Sequence, residues 1–162
     1  MSAIASFTLL SSAALRGLRD AAVPRKRSWF QRPQDTFHDY LEKHGREIAV
    51  LQLSGWVLHT ALDYLQERHQ IDLMHSEHDE LARYLSEERG ASYFVLTPAQ
   101  SVGYIQRLDP KDFGEDELRA YFNEFYEDDQ PDAGKWMLEC IRVLRDSLRQ
   151  LEPDCVILLA IG

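Results

Sequence analysis

The C-terminal stretch, residues 135–162, constrains the fold of this chain more than any other part of it. It ends in the run Cys155–Ile161, in which every residue is apolar. A strand with one face in water alternates apolar and polar residues, whereas an unbroken apolar run is typical of a strand that is buried on both faces. The sequence therefore predicts an interior strand at the end of the chain.

An amphipathic helix precedes this strand. One of its faces is apolar at three- and four-residue steps, which is the spacing of one side of an α-helix. The residues of that face are Met137, Ile141, Leu144, Leu148 and Leu151. Pro153 ends the helix, because its ring clashes with a preceding helical turn. We therefore expect a helix that covers the final strand.

Length and charge limit the class of protein. The chain has 162 residues, of which 44% are hydrophobic, so we expect one domain over residues 1–162 with a core that needs no metal or cofactor to hold it. Its net charge is −9 at pH 7, and an acidic chain lacks the basic face that nucleic-acid binding requires. No apolar run approaches the roughly 20 residues of a membrane span. We expect neither nucleic acid nor membrane as a partner.

The cysteines and the N-terminus indicate the compartment. Cys140 and Cys155 both lie in the apolar C-terminal stretch, where a cysteine behaves as a small buried hydrophobic residue. No further cysteines are present, which fits a reducing cytoplasm. The N-terminal apolar stretch has no basic residues before it and is interrupted by Ser6 and Thr8, so it predicts mature protein and not a signal peptide.

Helix signals dominate the rest of the chain, with strands at both of its ends. Residues 4–10 predict a strand beside the C-terminal one, and residues 93–96 predict another. Residues 48–53 fit either a strand or a helix. Together these elements predict an α+β fold, in which a small sheet including the N- and C-terminal strands is covered by several amphipathic helices.

Local signals mark several helix ends. Thr97, Pro98 and Gln100 form a capping sequence, with a proline at the first helical position and a glutamine that reaches back. Gly90 is placed to end the helix before it in a left-handed conformation. The periodicity also predicts that Val102 and Phe125 point inward from their helices.

The chain resembles the YfbM-like family of bacterial proteins of unknown function over nearly its whole length. The features that carry the resemblance are residues 1–7, the helix with Trp56 and His59, residues 96–100 and 117–122, and the ending at residues 156–162. The family pattern places Trp and His four residues apart, whereas Trp56 and His59 are three apart, so no role is carried over to this pair. The resemblance implies a compact α+β domain and no activity.

Three of the six histidines lie close together in the sequence: His69, His75 and His78. Imidazole is a common metal ligand, and carboxylates nearby supply oxygen atoms. The three residues are therefore candidate metal ligands. The alternative is a polar helix entrance with exposed histidines, because His75 and His78 straddle a helix start and no second motif with ligand spacing follows.

His59 and Asp63 are a candidate catalytic pair. They lie one helical turn apart, so their side chains can meet. A histidine that is oriented by a carboxylate is the base half of a nucleophilic site, but the sequence shows no nucleophile motif beside it. The alternative is a partly buried histidine that is hydrogen-bonded to Asp63.

Acidic residues dominate the segment 115–132, where Arg119 is the only basic residue. Clustered like charge accelerates association with an oppositely charged partner, whereas the alternative is a solvated face. With Trp56, the acids Glu124, Glu127, Asp128 and Asp129 are candidate binding residues for a basic protein. The basic segment that contains Trp29 and Phe30 fits either contact with an acidic partner or symmetry mate, or a solvated loop.

Two functions follow from these features. The preferred one is a small bacterial protein that acts by protein–protein binding, as an inhibitor or an immunity-type partner. The alternative is a hydrolase or metal-dependent enzyme that uses His59 with Asp63, or the histidines at positions 69, 75 and 78.

Overall fold

The computed structural model describes residues 4–23, 35–127 and 129–162. Within these residues the α-helices are α1 (Leu15–Ala22), α2 (Phe37–His44), α3 (Gly55–His69), α4 (Asp79–Arg89), α5 (Pro98–Tyr104), α6 (Glu115–Tyr126) and α7 (Ala133–Leu148). The strands are β1 (Ala5–Ser11), β2 (Gly45–Leu51), β3 (Ser92–Leu96) and β4 (Cys155–Ile161). Short 3-10 turns lie at Ser12–Ala14, Ile105–Leu108 and Pro110–Asp112. The basic segment predicted around Trp29 lies outside the described residues.

The four strands form one antiparallel sheet in the order β2-β1-β4-β3. β4 therefore has a neighbour on each side: Ala5 of β1 pairs with Ile161, and Leu96 of β3 pairs with Ile157. Leu158 and Leu159, whose side chains point to opposite faces, are both essentially inaccessible to solvent. The predicted interior strand and its position beside the N-terminal strand are confirmed.

Helices cover both faces of the sheet, and the α+β prediction is confirmed. On one face, residues of α3, α6 and α7 pack against Phe7, Ile157 and Leu159. On the other face, residues of α1, α2 and α4 pack against Leu10 and Leu158. The apolar side of α7 faces the sheet as predicted, with its residues Met137, Ile141, Leu144 and Leu148 fully buried. The sheet is thus the middle layer between two layers of helices.

Residues 45–51 form the edge strand β2, which resolves the ambiguity in the middle of the chain. Ala49 pairs with Phe7 and Glu47 pairs with Thr8, so Ile48 is the extra residue of a β-bulge. A bulge shifts the alternation of side chains by one residue. This shift disturbs the period-2 pattern by which a strand is recognised in a sequence.

The predicted capping residues do what their sequence indicates. The Thr97 backbone N–H donates to Gln100 Oε1 at 2.8 Å, and the Gln100 N–H donates to Thr97 Oγ1 at 3.5 Å. Gly90 ends α4 with a φ of 68°. The Gln100 side chain has a further role that the sequence did not indicate, because its amide donates to the carbonyls of Asp72 and His75. It thereby holds the segment between α3 and α4 against α5.

Two predictions of buried side chains are wrong. Val102 is 84% exposed and Phe125 is 56% exposed. In the short helix α5 the buried residue is Gln100 and not Val102, whereas Leu108 is buried in the 3-10 turn that follows. Phe125 lies in the last turn of α6, and it packs against Tyr126 with 5.0 Å between the ring centroids.

Both cysteines are free. Cys140 is fully buried in α7, and burial raises the pKa of its thiol to about 12, whereas Cys155 at the start of β4 is only half-buried. Among the described helices, none is long and apolar enough to cross a membrane.

Candidate functional site

An open groove lies where the start of α3, the end of α6 and the start of α7 meet. Its volume is about 620 Å³, and it is lined by Ser54, Trp56, Val57, Phe122, Tyr126, Glu127, Gln130 and Trp136. We call this set the aromatic groove. The lining comes from parts of the chain that are far apart in sequence, so only the packing of the three helices creates it.

Hydrogen bonds hold the two sides of the aromatic groove together. The Thr60 hydroxyl donates to the Trp56 carbonyl at 2.8 Å and lies 3.1 Å from the Tyr126 hydroxyl. The Tyr126 hydroxyl also donates to the Trp56 carbonyl at 3.4 Å. Thr60 is fully buried, whereas the contact of the Tyr126 hydroxyl with the Trp56 carbonyl is exposed. This network ties the first turn of α3 to the last turn of α6.

The rings of the groove differ in how well they are packed. Phe122 contacts Tyr126 with 4.7 Å between ring centroids and Trp136 with 6.4 Å. Trp56 is 64% exposed, and among the described aromatic residues no ring stacks on it. One wall of the groove is therefore a packed cluster, and the other is a single exposed indole.

One acidic residue lines the aromatic groove, and others lie close to it in sequence. Glu127 lines the groove directly and ends α6 in a left-handed conformation with a φ of 51°. Glu124 and Asp129 are exposed nearby in sequence, while Asp128 lies outside the described residues. Within the described part of the chain, no basic side chain forms an ion pair with Glu124 or Glu127. The structure thus brings the predicted binding residues Trp56 and Glu127 into one site.

A second cavity, of about 420 Å³, lies on the other side of Trp56. It is lined by Gly55, Trp56, His59, Gly90, Ala91, Ser92 and Ile161. Ser92 carries a hydroxyl group. The sequence did not indicate that it lies near His59, because the two residues belong to different elements. Among the described residues, no hydrogen bond joins His59 to Ser92 or to Asp63. His59 and Ser92 therefore share a cavity, but within the described chain no hydrogen bond joins them.

Burial governs the protonation of the His59 and Asp63 pair. The His59 ring is half-buried and packs edge-on against Phe94, with 5.8 Å between ring centroids. Desolvation lowers the pKa of His59, and the Asp63 charge opposes this shift. Desolvation also raises the pKa of Asp63, against the effect of His59. His59 and Asp63 are thus close enough to interact electrostatically, as predicted, but within the described residues they form no hydrogen bond with each other.

The lowered pKa of His59 predicts how stability depends on pH. The unfolded chain takes up this proton near pH 6.5, whereas the folded chain does so at lower pH, so the free energy of unfolding should fall as the pH is lowered through this region. Urea titrations at pH 7.5 and pH 5.5 measure this loss. In a His59→Gln variant the loss should be smaller. An unchanged loss in the variant would contradict a desolvated His59.

The His69 side chain contacts Tyr64 of α3 and Phe113, which precedes α6. Its Nε2 lies 3.1 Å from the Tyr64 hydroxyl, which donates to Glu117 Oε1 at 2.8 Å. The His69 ring also packs against Phe113 with 4.9 Å between centroids. A parallel contact joins the Tyr121 hydroxyl to Glu67 at 2.8 Å. The tyrosine hydroxyls of Tyr64 and Tyr121 therefore join α3 to α6, and the His69 Nε2 already has the Tyr64 hydroxyl as a partner.

His75 and His78 lie in settings different from that of His69. His75 Nδ1 is 3.0 Å from Asp72 Oδ2, and the ring is exposed. His78 Nε2 is 3.8 Å from Glu77 Oε1. Over the ranges that the structure describes, no three His, Cys, Asp or Glu side chains are grouped so that they could hold a metal ion. The candidate metal ligands His69, His75 and His78 are thus not brought together into one site.

Comparison with known proteins does not indicate a function for the chain, so the geometry of the site has to indicate one. No family model, curated protein or solved structure matches the chain. The resemblance to the YfbM-like family therefore stays a prediction.

Proposed function

We propose that this protein acts by binding another protein, with the aromatic groove as its contact surface. The partner is basic, and the role that suits such a contact is that of an inhibitor or immunity-type partner. The site contains two of the candidate binding residues that the sequence suggested, Trp56 and Glu127.

The observation that carries this proposal is the exposure of two large aromatic side chains at one place. Trp56 is 64% exposed and Phe125 is 56% exposed. Phe125 contacts Tyr126, which lines the aromatic groove with Trp56. Isolated apolar side chains are common on protein surfaces, but a grouped aromatic patch with a charged rim is typical of an interaction site. Tryptophan and tyrosine are also enriched among the residues that dominate binding energy.

The enzyme alternative has less structural support. His59 lines a cavity with Ser92, but the groups lack the hydrogen bonds by which a base activates a nucleophile. The groove, by contrast, needs no rearrangement before a partner can contact it.

Site-specific photo-crosslinking tests the proposal. A photoreactive phenylalanine analogue placed at Phe125, beside the groove, should crosslink to one defined protein in cells of the source organism. The same analogue at Val102, which is 84% exposed on α5, is the matched control and should not give this product. Crosslinking of the same protein from both positions, or from neither, would count against the groove as the contact surface.

A Trp56→Ala variant measures the contribution of the groove to affinity. We expect the affinity for the crosslinked protein to fall by about 30-fold or more, which corresponds to about 2 kcal/mol for a residue at the centre of an interface. Thermal unfolding should change little, because the side chain is mostly exposed. Titration calorimetry with the purified partner measures the affinity. An affinity within two-fold of the wild-type value would contradict the proposal.

A further inference from the structure

We infer that the aromatic groove receives an arginine side chain of the partner, stacked on Trp56 and paired with the Glu127 carboxylate. This inference rests on the proposed function and adds the chemistry that the groove recognises. It follows from three properties of the site: an aromatic lining with the exposed Trp56 indole, a carboxylate in the lining, and no cation supplied by the described residues.

The walls of the groove suit a planar cation. The Phe122, Tyr126 and Trp136 rings pack on one another, whereas Trp56 on the opposite side is free of ring contacts within the described chain. Aromatic faces attract cations, with tryptophan the strongest. The Thr60 hydrogen bond to the Trp56 carbonyl fixes the backbone of the exposed indole. A guest that enters between the walls therefore meets an indole whose backbone position is already set.

The carboxylate at the end of the groove favours arginine over lysine. Guanidinium is planar, stacks on aromatic rings, and donates two parallel hydrogen bonds to a carboxylate, whereas the lysine ammonium is a compact and strongly hydrated charge. Glu127 lines the groove and has no ion-pair partner among the described residues. A guanidinium between the walls can thus satisfy both the rings and the carboxylate.

The arginines within the described residues do not fill this role. Arg19, Arg68, Arg89 and Arg107 lie over Tyr84, Tyr121, Phe37 and Tyr104 respectively. None of the cation–π contacts within the described ranges involves a ring of the aromatic groove. The same protein therefore uses arginine-on-aromatic packing elsewhere, while no described cation lies over the rings of the groove. We assign the cation for these rings to a basic partner.

The test uses two blocked five-residue peptides with leucine on each side of the central residue. One peptide has arginine at its centre, and the other has citrulline, which keeps the shape and removes the charge. We expect the arginine peptide to shift the indole N–H resonances of Trp56 and Trp136 and to bind about ten-fold more tightly than the citrulline peptide. Glu127→Gln should reduce this preference to about two-fold or less.

Glu87→Gln is the matched control, because Glu87 is an exposed acid on α4, away from the groove. It makes the same change in net charge and should leave the preference for arginine intact. Equal binding of the arginine and citrulline peptides at Trp56 and Trp136 would overturn the inference. The groove would then bind an apolar segment, and the proposed function would stand. The absence of shifts at Trp56 and Trp136 with either peptide would also overturn the inference, as would a lysine peptide that binds as tightly as arginine. The crosslinking from Phe125 decides the proposed function independently.

Discussion

Truncation of either Leu158 or Leu159 to alanine is expected to lower the free energy of unfolding by about 2–5 kcal/mol. The two side chains point to opposite faces of β4, and each is no more than 1% exposed. Leu158 belongs to the core with α1, α2 and α4, while Leu159 belongs to the core with α3, α6 and α7. A strand buried on both faces therefore predicts that both variants lose stability.

Urea denaturation of the two variants measures this loss, with Val50→Ala as the control. Val50 lies in the edge strand β2 and is 40% exposed, so its truncation should cost less than about 1 kcal/mol. A large loss in only one of the two leucine variants would mean that one helical layer contributes little to the core.

Replacement of Gly134 by alanine is expected to destabilise the protein by about 1–3 kcal/mol, because an added methyl group has no room there. A Cβ atom at this position would lie 2.1 Å from the carbonyl oxygen of Glu115. That oxygen belongs to the backbone of α6, so the clash is relieved only if the starts of α6 and α7 move apart. Because the aromatic groove lies between parts of these two helices, the same variant should also bind the partner less tightly.

Gly103→Ala is the matched control for this prediction. Gly103 lies in α5, and a Cβ atom there would have no neighbour within 4 Å. Alanine is favoured over glycine inside a helix, so this variant should gain up to about 1 kcal/mol. Thermal unfolding of both variants checks the pair. A Gly134→Ala variant as stable as the wild type would show that the two helices are not held at this distance.

Most of the secondary structure was predictable from local sequence signals. The unbroken apolar run of β4, the periodic face of α7 and the capping residues Thr97 and Gln100 are each readable from neighbouring residues, because their physical causes lie within a few positions of the chain. β2 was ambiguous, because its pairing with β1 and the bulge at Ile48 depend on a strand far away in sequence. The predictions that Val102 and Phe125 point inward were wrong. Both residues lie towards the C-terminal end of a helix, where the apolar periodicity does not indicate whether a neighbouring helix covers the side chain.

The candidate site was predictable only in parts. The sequence singled out Trp56 and Glu127 as candidate binding residues, but it did not connect them with Tyr126 or Trp136. It also placed His69, His75 and His78 together because they are near in sequence. In the structure His69 packs against Tyr64 and Phe113, whereas His75 and His78 pair with their own sequence neighbours.

The order of apolar and polar residues was therefore enough to specify a buried C-terminal strand, its covering helix and an α+β class, since burial and helix periodicity are encoded locally. Which side chains share a groove was decided by tertiary structure. The Thr60 hydrogen bonds join the start of α3 to the end of α6, and the close approach at Gly134 joins the starts of α6 and α7. Such contacts join positions far apart in the chain, so no local sequence pattern predicts them.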